Sequence, residues 1–522
     1  MTSPLIPSGT ALSTKSISET PSGRELLSLY REYTAMPFET RAIAFSLDER
    51  DMQDNDPRRY LLGTGVSRRH GGGPFPHEKV NYAPVCRACM EDSLGGLRRT
   101  HYSSGLGPSM DGKDVTVMGW VMAVRGHGAI SFMTIRDRDG RIQVVAKSGS
   151  CPDETRERIS GLKPHSVVAV TGTVRASEKA PSGFELVPNE LKVFADVQKI
   201  PPFEPQAKTV KNIETRLEIR PIDLRRDALL ELFHARSAVL RETREYFYEN
   251  GFVEASTPKM ISTATEGGAA LFPIFYYNKE AFLAQSPQLY KEQLTMSLER
   301  VFEIGPIFRA EPSRTNRHLA EAISIDLEEA FVDYNDIMDR ISDIVKRAAS
   351  AATPYAGGPG AQFAVPDVPA EIPRYTYADL LDRIKGAGAK AEWGDDLYPS
   401  ALKKAGLEGF YFITDWPAGP KPFYVKVGPD GRTSESFDLM FGDLEISSGS
   451  TRIDNRAELE ERMAAKGMNA GSFGHHLAAF DYGVPPHAGC GIGLERLMMA
   501  LTGTENIRDV TFYPRDVDRL TP

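Results

Sequence analysis

The chain has 522 residues, of which 25% are charged and 41% hydrophobic, and its formal net charge at pH 7 is -9. A chain of this length exceeds one compact core and predicts two or three domains. No apolar stretch approaches the roughly 20 residues that a membrane-spanning helix needs, so no membrane association is predicted. Four scattered cysteines do not make a disulfide framework, which favours a reducing compartment and a cytoplasmic protein.

Residues 1–96 differ in composition from the rest of the chain. They begin with a stretch rich in Ser, Thr and Pro and lack helical or strand periodicity, so we expect a disordered extension. Interspersed acidic residues and the lack of an apolar segment argue against a targeting peptide. Cys86 and Cys89 have the spacing of a zinc-ligand pair, but no second pair exists to complete a structural zinc site. One hypothesis is that translation starts at Met90, which would remove most of the extension.

Residues 97–200 contain five short apolar runs that are separated by Gly, Asp-Gly and Pro-Ser-Gly turns. Five such strands predict a small closed β-barrel, of the oligonucleotide-binding (OB) type or of another small type such as an SH3-like module. Phe132 offers a face for base stacking, while Arg136 and Gln143 offer donors to an unstacked base. The negative net charge does not exclude RNA, because the field that steers RNA is local. These three residues favour an OB barrel that binds single-stranded RNA.

Residues 201–226 are rich in proline and charge, and predict a hinge that can touch an RNA backbone. From residue 227 onward, apolar residues recur at helical spacing and predict a helix that ends at Asn250-Gly251. An extended strand is predicted to follow, up to Pro258. We expect residues 227–522 to form one large domain, and the whole chain to be an α+β protein.

Two runs of the large domain place arginines at the ends of strands. Residues 305–328 predict a strand that ends near Arg309, a polar loop and a returning acidic strand. Residues 489–497 predict a glycine-rich strand that leads into Arg496 at a helix start, where backbone N–H groups also point at a bound phosphate. The acidic strand 442–453 lies between the two runs. Together they predict a cradle for a nucleoside triphosphate that is neither a Walker loop nor a dinucleotide fingerprint.

The two runs resemble motifs 2 and 3 of class II aminoacyl-tRNA synthetases. The C-terminal run FYPRDVDRLTP narrows the resemblance to the archaeal-type aspartyl-tRNA synthetases, and the segment between Asp326 and Asp438 is too short for the large insertion of the bacterial enzymes. The helix and strand that end at Pro258 resemble motif 1, which forms the homodimer interface in this family. The resemblance covers residues 98–522. It implies an ATP- and Mg²⁺-dependent ligase that joins L-aspartate to tRNA(Asp) through an aspartyl-adenylate.

The resemblance also implies an ATP site. Arg309 and Arg496 match catalytic arginines that hold the α- and γ-phosphates, so that catalysis depends on positioning and positive charge and needs no side-chain nucleophile. Hard oxygen ligands suit Mg²⁺. The implied ATP-binding residues are Arg309, Glu311, Arg317, His318, Leu319, Glu445, Gly493, Leu494, Glu495 and Arg496, and the implied Mg²⁺ ligands are Glu445 and Ser448.

An aspartate pocket is implied by the same resemblance, with Glu266, Gln288, Lys291, Arg309, Asp326, Ser448 and Arg452 as its residues. Lys291 and Arg452 bring two positive charges that suit a side-chain carboxylate. Asparagine would leave a buried cation unpaired, at a cost of about 3–5 kcal/mol. Asp326 holds the two cations in place, and Glu266 lies in a loop that resembles the lid over the α-ammonium group. Asparaginyl-tRNA synthetases typically lack this lysine and carry glutamate at the position of Asp326.

Residues of the barrel bear on the choice of tRNA. Phe132, Arg136 and Gln143 match the anticodon readers of the family. Met122 and Pro181 stand where its strict members carry a tryptophan and a lysine, and proline removes both a backbone donor and a charge. We therefore expect an enzyme that also places aspartate on tRNA(Asn), for a separate amidotransferase to convert.

Four alternatives remain open on the sequence. They are a strictly discriminating aspartyl-tRNA synthetase, an asparaginyl-tRNA synthetase, a lysyl-tRNA synthetase and an inactive tRNA-binding paralogue. Lys291, Asp326 and Arg452 argue against the asparaginyl and lysyl enzymes. An inactive paralogue would be expected to lack Arg309, Glu445 or Arg496, which are all present.

Overall fold

The computed structural model describes residues 92–207, 212–262, 271–357, 360–395, 397 and 399–521. The predicted extension up to residue 91, with Cys86, Cys89 and Met90, lies outside the described residues, and so does Glu266 in its predicted lid loop. Within the described part of the chain, no helix is long and apolar enough to cross a membrane.

The first domain is the predicted five-stranded barrel. Its elements are β1 (Asp114–His127), β2 (Ile130–Arg136), β3 (Arg141–Lys147), α1 (Asp153–Gly161), β4 (Val167–Ala176) and β5 (Phe184–Ala195). The strands close in the order β1-β2-β3-β5-β4. Along β2 the side chains alternate, as expected for a barrel wall: Met133 and Ile135 are fully buried inside, while Phe132 and Thr134 are half-buried outside. The barrel prediction is confirmed.

The predicted hinge contains two short helices, α2 (Ile213–Glu218) and α3 (Arg220–Asp223). Arg220 is fully buried, pairs with Asp223 at 2.5 Å and donates to the backbone carbonyls of Thr511 and Phe512. A buried guanidinium needs acceptors for its five N–H groups, and the C-terminal segment supplies most of them. The second half of the predicted hinge is therefore packed against the end of the chain.

The second domain is built on a large, mostly antiparallel sheet. Its helices are α4 (Asp227–Glu249), α5 (Gln288–Leu298), α6 (Tyr334–Ala356), α7 (Tyr377–Gly386), α8 (Pro399–Ala405), α9 (Arg456–Ala465), α10 (Gly474–Phe480) and α11 (Leu494–Thr502). Its strands are β6 (Val253–Glu254), β7 (Met260–Ile261), β8 (Pro273–Tyr276), β9 (Lys279–Leu283), β10 (Arg300–Phe308), β11 (Glu321–Ala330), β12 (Arg374–Thr376), β13 (Phe410–Thr414), β14 (Ser436–Phe441), β15 (Leu444–Thr451) and β16 (His487–Gly493).

Among the described residues, eight strands form the main sheet in the order β12-β13-β14-β15-β16-β11-β10-β6, and β7, β9 and β8 form a smaller sheet. The outermost pairs of the main sheet, β12 with β13 and β6 with β10, are parallel, and the others are antiparallel. This arrangement confirms the predicted α+β fold. Side chains of α4, α6 and α11 join those of the sheet in one hydrophobic core.

Helix α4 ends where the sequence predicts, with Asn250 as its cap and Gly251 at φ +76°, a left-handed conformation that glycine adopts without strain. The extended strand that was expected up to Pro258 is shorter, since β6 covers only Val253–Glu254. Thr257 makes its hydrogen bonds with the side chain of Glu303 rather than with the backbone of a neighbouring strand. Side-chain capture of the backbone thus ends the pairing at the sheet edge.

Candidate active site

The sheet face opposite the hydrophobic core forms the floor of a cavity of about 920 Å³. Strand alternation explains this division, because successive side chains point to opposite faces. On β11, Ile325 and Leu327 belong to the core, whereas Ser324 and Asp326 line the cavity. A cavity of this size, with charged groups on three neighbouring strands, can hold a nucleotide and a small second substrate together.

The β10–β11 hairpin carries the first group of predicted residues into the cavity. The backbone N–H of Arg309 donates to the Ala320 carbonyl at 2.9 Å, so Arg309 stands directly after β10, where the strand opens into its loop. The loop residues Glu311, Arg317 and His318 line the cavity, as does Leu319. Arg317 is held by hydrogen bonds of 3.0 Å to Asp443, in the turn between β14 and β15. The hairpin loop is therefore anchored across the cavity mouth.

Several arginines converge on His318. Partial burial lowers the pKa of His318, and the charges of Arg496, Arg309 and Arg317 lower it further, against the opposing charge of Glu311. Three guanidinium groups that repel a proton on one imidazole create a strongly positive site. The arrangement brings together arginines that lie far apart in the sequence, and it suits a polyphosphate.

A β-bulge in β15 places two oxygen-bearing side chains on the cavity side. Glu445 and Ser448 are three residues apart and would face opposite sides of a regular strand. The pairing with β14 shifts between Ser447 and Glu445, which leaves Ile446 as the extra residue, so both side chains line the cavity. Asp438, opposite Ser448 on β14, lies beside them and is buried.

The predicted motif around Arg496 joins this group. Arg496 Nη1 donates to the carbonyl oxygen and to the carboxylate of Glu445, at 3.1 and 3.2 Å. Its neighbour Glu495 pairs with Arg236 of α4 at 2.7 Å and accepts from the Ile323 N–H at 3.0 Å. Gly493 and Glu495 line the cavity with Arg496, whereas Leu494 is fully buried in the hydrophobic core.

Lys291 lies at the centre of a buried ionic cluster. Its Nζ is 3.0 Å from Asp326 Oδ1 and 3.3 Å from Glu328 Oε2, and it donates to the Cys490 carbonyl at 2.9 Å. Asp326 lines the cavity, but in the described structure Lys291 itself is not part of the cavity wall. Burial opposes the charge of Lys291, and the two carboxylates outweigh it and raise the pKa of the amine. The lysine is therefore a charged group directly behind the pocket surface.

Arg452 is the buried cation that does face the cavity. Its Nε lies 2.8 Å from Glu328 Oε1, Nη1 donates to Ser450 Oγ at 2.5 Å, and Nη2 donates to Gln288 Oε1 at 3.3 Å. These bonds fix the plane of the guanidinium group while its outer edge remains in the wall with Gln288. Lys291 and Arg452 thus share one partner, Glu328, which links the two predicted aspartate-binding cations.

Sequence reasoning missed Glu328 and Lys421. Glu328 is fully buried between the two cations. Its carboxylate explains why residue 489 is a glycine, because a Cβ at that position would lie 2.1 Å from Glu328 Oε2. Strand alternation could have found Glu328, because residues 326 and 328 share a face.

Lys421 lines the cavity, lies 3.2 Å from both carboxylate oxygens of Asp438 and stands 4.5 Å over the Trp416 ring. No sequence signal singled out Lys421, which lies in a loop after three closely spaced prolines and glycines.

The predicted anticodon readers separate into two groups. Phe132 and Gln143 are half-buried on the outer face of neighbouring strands, where Gln143 pairs with Thr134. Arg136 is only 6% exposed and forms an ion pair of 2.8 Å with Asp227, the first residue of α4. The structure therefore leaves Phe132 and Gln143 open to a base and commits Arg136 to the contact between the two domains.

The two residues predicted to affect tRNA choice lie at irregular points of the barrel. Met122 is the extra residue of a β-bulge in β1, since the pairing shifts from Val121 opposite Ile135 to Ala123 opposite Thr134. Pro181 is exposed in the turn between β4 and β5. Both positions can change without disturbing the barrel interior.

An OB barrel joined to an antiparallel sheet, whose cavity gathers arginines and carboxylates from three strand ends, defines a class II aminoacyl-tRNA synthetase. Residues 212–517 match the family model for class II tRNA synthetases (D, K and N), and residues 115–194 match the model for the OB-fold nucleic acid binding domain.

Similarity to individual proteins shows to which branch of the class II synthetases the chain belongs. The chain is 46% identical over 438 residues to the aspartate–tRNA(Asp/Asn) ligase of Methanothermobacter thermautotrophicus, covering 82% of this chain and 100% of that one. It is 44% identical to the aspartate–tRNA(Asp) ligase of Pyrobaculum aerophilum, covering 81% and 99%. The asparaginyl-tRNA synthetase of Pyrococcus horikoshii, solved with asparaginyl-adenylate, superimposes with a TM-score of 0.77 at 31% identity, covering 82% and 100%. The chain belongs to the archaeal-type aspartate–tRNA ligases, within the class II tRNA synthetases.

Proposed function

We propose that this cavity activates L-aspartate with ATP and then transfers it to tRNA(Asp) and tRNA(Asn). In the first step the α-carboxylate of aspartate attacks the α-phosphorus of ATP, and pyrophosphate leaves. In the second, a ribose hydroxyl at the tRNA 3′ end attacks the acyl carbon, and AMP leaves. The observation that carries the proposal is the meeting, in one cavity, of the arginines around His318 with the buried Arg452.

ATP is held by the residues near the hairpin loop. We assign Arg309, directly after β10, to the α-phosphate and Arg496, near the start of α11, to the γ-phosphate. Arg317 and His318 line the same cavity and would also face the triphosphate. Fixed positive charge that neutralises a developing pentavalent phosphorus needs no nucleophilic side chain, so positioning and electrostatics supply the catalysis.

Mg²⁺ fits the carboxylates beside Arg496. Burial raises the pKa of the Asp438 carboxyl, and the nearby charge of Glu445 raises it further, while Lys421 opposes the shift. Two carboxylates that repel each other beside the exposed hydroxyl of Ser448 form a hard-oxygen site for a divalent cation. We propose Glu445 and Ser448 as ligands, with Asp438 as a third. A bound Mg²⁺ would neutralise phosphate charge, while Arg496 orients the same phosphates.

Aspartate is recognised by charge. Arg452 presents its guanidinium edge to the cavity, and Lys421 adds a second positive group to the lining of the same cavity. Asparagine would offer an uncharged amide to a buried arginine, which costs about 3–5 kcal/mol if the cation is left unpaired. Lys291 acts from behind, since its charge offsets those of Asp326 and Glu328, so that Glu328 does not cancel the charge of Arg452 alone.

Both aspartate tRNAs and asparagine tRNAs are proposed partners. Phe132 and Gln143 offer a stacking face and a hydrogen-bonding amide to anticodon bases that the two tRNAs share. Discrimination then depends on groups near the third anticodon base. Met122 and Pro181 supply no charged donor there, so no contact on the described barrel surface at these positions favours tRNA(Asp). Similar proteins are named either as tRNA(Asp/Asn) ligases or as tRNA(Asp) ligases. Substitutions at Met122 and Pro181 can therefore test which specificity this chain has.

A homodimer is proposed from exposed apolar residues on the edge strand β6 and on the small sheet of the second domain. Val253 in β6, Met260 in β7 and Phe275 in β8 are 44%, 56% and 96% exposed, and Tyr277 in the following turn is 88% exposed. Apolar patches of this kind on a soluble surface mark a protein interface. A second copy of the chain would bury them and cover the short edge strand β6.

The test is charging of tRNA(Asp) and tRNA(Asn) transcripts with labelled aspartate, side by side at one salt concentration, because RNA affinity depends on salt. We expect comparable charging of both. Charging of tRNA(Asp) alone would establish a strict enzyme, and charging of neither would indicate an inactive paralogue. Pro181→Lys is the matched variant: it restores a positive donor and should reduce charging of tRNA(Asn) while leaving that of tRNA(Asp) unchanged.

A further inference from the structure

Behind the aspartate pocket lies a buried group of one carboxylate and two histidines. Glu292 of α5 is 2% exposed, and His476 of α10 and His487 at the start of β16 are fully buried. The Nε2 atoms of His476 and His487 lie 3.4 and 3.9 Å from Glu292 Oε2. Within the described part of the chain, these three atoms are buried and have no hydrogen-bond partner. Buried polar atoms without partners are costly, so the charge interactions among the three must offset that cost.

The hydrogen bonds of the two rings define their protonation. His487 Nδ1 lies 2.8 Å from the Pro485 carbonyl, which only accepts, so Nδ1 carries a proton. Its other nitrogen, Nε2, faces the Glu292 carboxylate, which also only accepts. At 3.9 Å this contact is an ion pair and not a hydrogen bond, and an acceptor at Nδ1 together with a carboxylate facing Nε2 favours the doubly protonated imidazolium. His476 differs, because the Gln293 amide donates to its Nδ1 at 3.2 Å, and a neutral ring then carries its proton on Nε2 toward Glu292.

Glu292 connects this group to the pocket wall. Its Oε1 accepts from Gln288 Nε2 at 2.6 Å, which fixes the Gln288 amide with its oxygen toward Arg452 Nη2, 3.3 Å away. Gln288 and Arg452 both line the cavity. Outer groups that fix the orientation of substrate-binding groups commonly affect affinity as much as direct contacts do. The path from His487 to the cavity therefore passes through Glu292 and Gln288.

The charges behind the pocket balance only when His487 is an imidazolium. Three carboxylates, those of Asp326, Glu328 and Glu292, face three cations, those of Lys291, Arg452 and His487. All six side chains are less than one-tenth exposed. Burial opposes the charge on His487, but Glu292 and then Glu328 outweigh it and raise the pKa of the ring. The titratable and charged groups around this ring are thus Glu292 of α5, Glu328 of β11, His476 of α10 and Arg452 after β15.

We propose that His487 is a positioning and specificity residue: as an imidazolium it neutralises Glu292, and loss of its proton leaves a net negative charge behind the pocket that repels the aspartate side chain. The inference deepens the proposed function, since it depends on aspartate binding beside Arg452. The ATP site contains none of these groups, so the effect falls on the KM for aspartate and leaves kcat and the KM for ATP nearly unchanged.

The experiment is aspartate-dependent ATP–pyrophosphate exchange without tRNA, from about pH 6.5 to about pH 9, the range above the ordinary pKa of histidine. For the wild type we expect the KM for aspartate to rise with pH as His487 loses its proton. His487→Gln should have a KM raised about tenfold already at the lowest pH, with no further rise. The double variant Glu292→Gln/His487→Gln, which removes both charges, should restore a low KM that does not change with pH. His475→Gln, at an exposed neighbouring histidine, is the control and should match the wild type.

Each part can fail separately. A wild-type KM that stays constant over the whole range would overturn the proposal, whether or not His487→Gln folds. A double variant as impaired as His487→Gln would also overturn it, because a packing defect is not relieved by a second neutral substitution. Absence of any aspartate-dependent exchange by the wild type would instead refute the proposed function itself.

Discussion

At the scale of single residues, the pKa of His318 depends on the charge of the proposed ATP site. Its pKa is lowered by partial burial and by three arginines, so in the free enzyme the ring is neutral at physiological pH. A bound triphosphate would neutralise those arginines and bring negative charge close to the ring. Both effects raise the pKa of His318, so that ATP binding takes up a proton and weakens as pH rises through the raised value.

This proton uptake can be measured by titration calorimetry in buffers of different ionisation enthalpy, near pH 6.5, the ordinary histidine pKa. We expect the wild type to take up more protons on binding ATP than His318→Gln does. ATP's own phosphate titration is common to both proteins and cancels in the difference. Equal uptake by the two proteins would show that His318 does not sense the phosphates.

The resemblance to the class II synthetases predicted that Arg309, Arg452 and Arg496 belong to one site, and all three line the same cavity. The sequence did not predict that His476 and Lys421 lie at or behind this cavity. His476 lies 184 positions from Glu292 and reaches it only because α10 packs behind α5. Contacts of that separation depend on tertiary packing, for which one sequence contains no local signal.

At the scale of elements, the short helices α2 and α3 hold the end of the chain. Arg216 pairs with Asp223 at 2.8 Å and with Asp509 at 2.6 Å, while Arg220 donates to a series of carbonyls from residues 508 to 512. The second half of the predicted hinge is thus held against the C-terminal segment. Its proline and charge content predicted a hinge that can touch an RNA backbone, but Arg216, Arg220 and Asp223 are paired and buried inside the protein.

Replacing Arg220 with Met should destabilise this contact strongly. Asp223 would keep only part of its pairing, and buried carbonyls would lose their donors, at a cost of about 3–5 kcal/mol by analogy with other broken buried pairs. Urea unfolding measures the free energy, and limited proteolysis near residues 508–521 should become faster. Arg519→Ala, which breaks an ion pair with the exposed Glu214, should change stability by less than about 1 kcal/mol. A similar effect of both substitutions would contradict this account.

The bulge in β15 is another feature of an element that the sequence did not predict. The run from Leu444 to Thr451 indicates a strand, but nothing in it marks Ile446 as an extra residue. Its position follows from the packing of Ile446 into the core and of Glu445 and Ser448 toward the cavity. Strand existence depends on local pattern, whereas register depends on the partner strand.

At the scale of the whole molecule, Asp227 connects the two domains. It accepts from Arg136 and from Arg141 of the barrel, and it is the first residue of α4, whose Arg236 pairs with Glu495 of the cavity wall. Nearby, the guanidinium group of Arg225 stacks 4.8 Å over the Trp120 ring of the barrel. The barrel is therefore joined to the catalytic domain by charge pairs and a stacking contact rather than by the linker alone.

Asp227→Asn tests whether this connection positions the tRNA. Arg136 would be left buried without its carboxylate, and the barrel would turn more freely on the catalytic domain. We expect the KM for tRNA to rise by roughly one order of magnitude, equivalent to about 1.4 kcal/mol of lost positioning, with no change in ATP–pyrophosphate exchange. Asp153→Asn, which removes an exposed ion pair within the barrel, should leave both unchanged. If exchange fell together with tRNA charging, Asp227 would support the cavity through α4 instead of orienting the barrel.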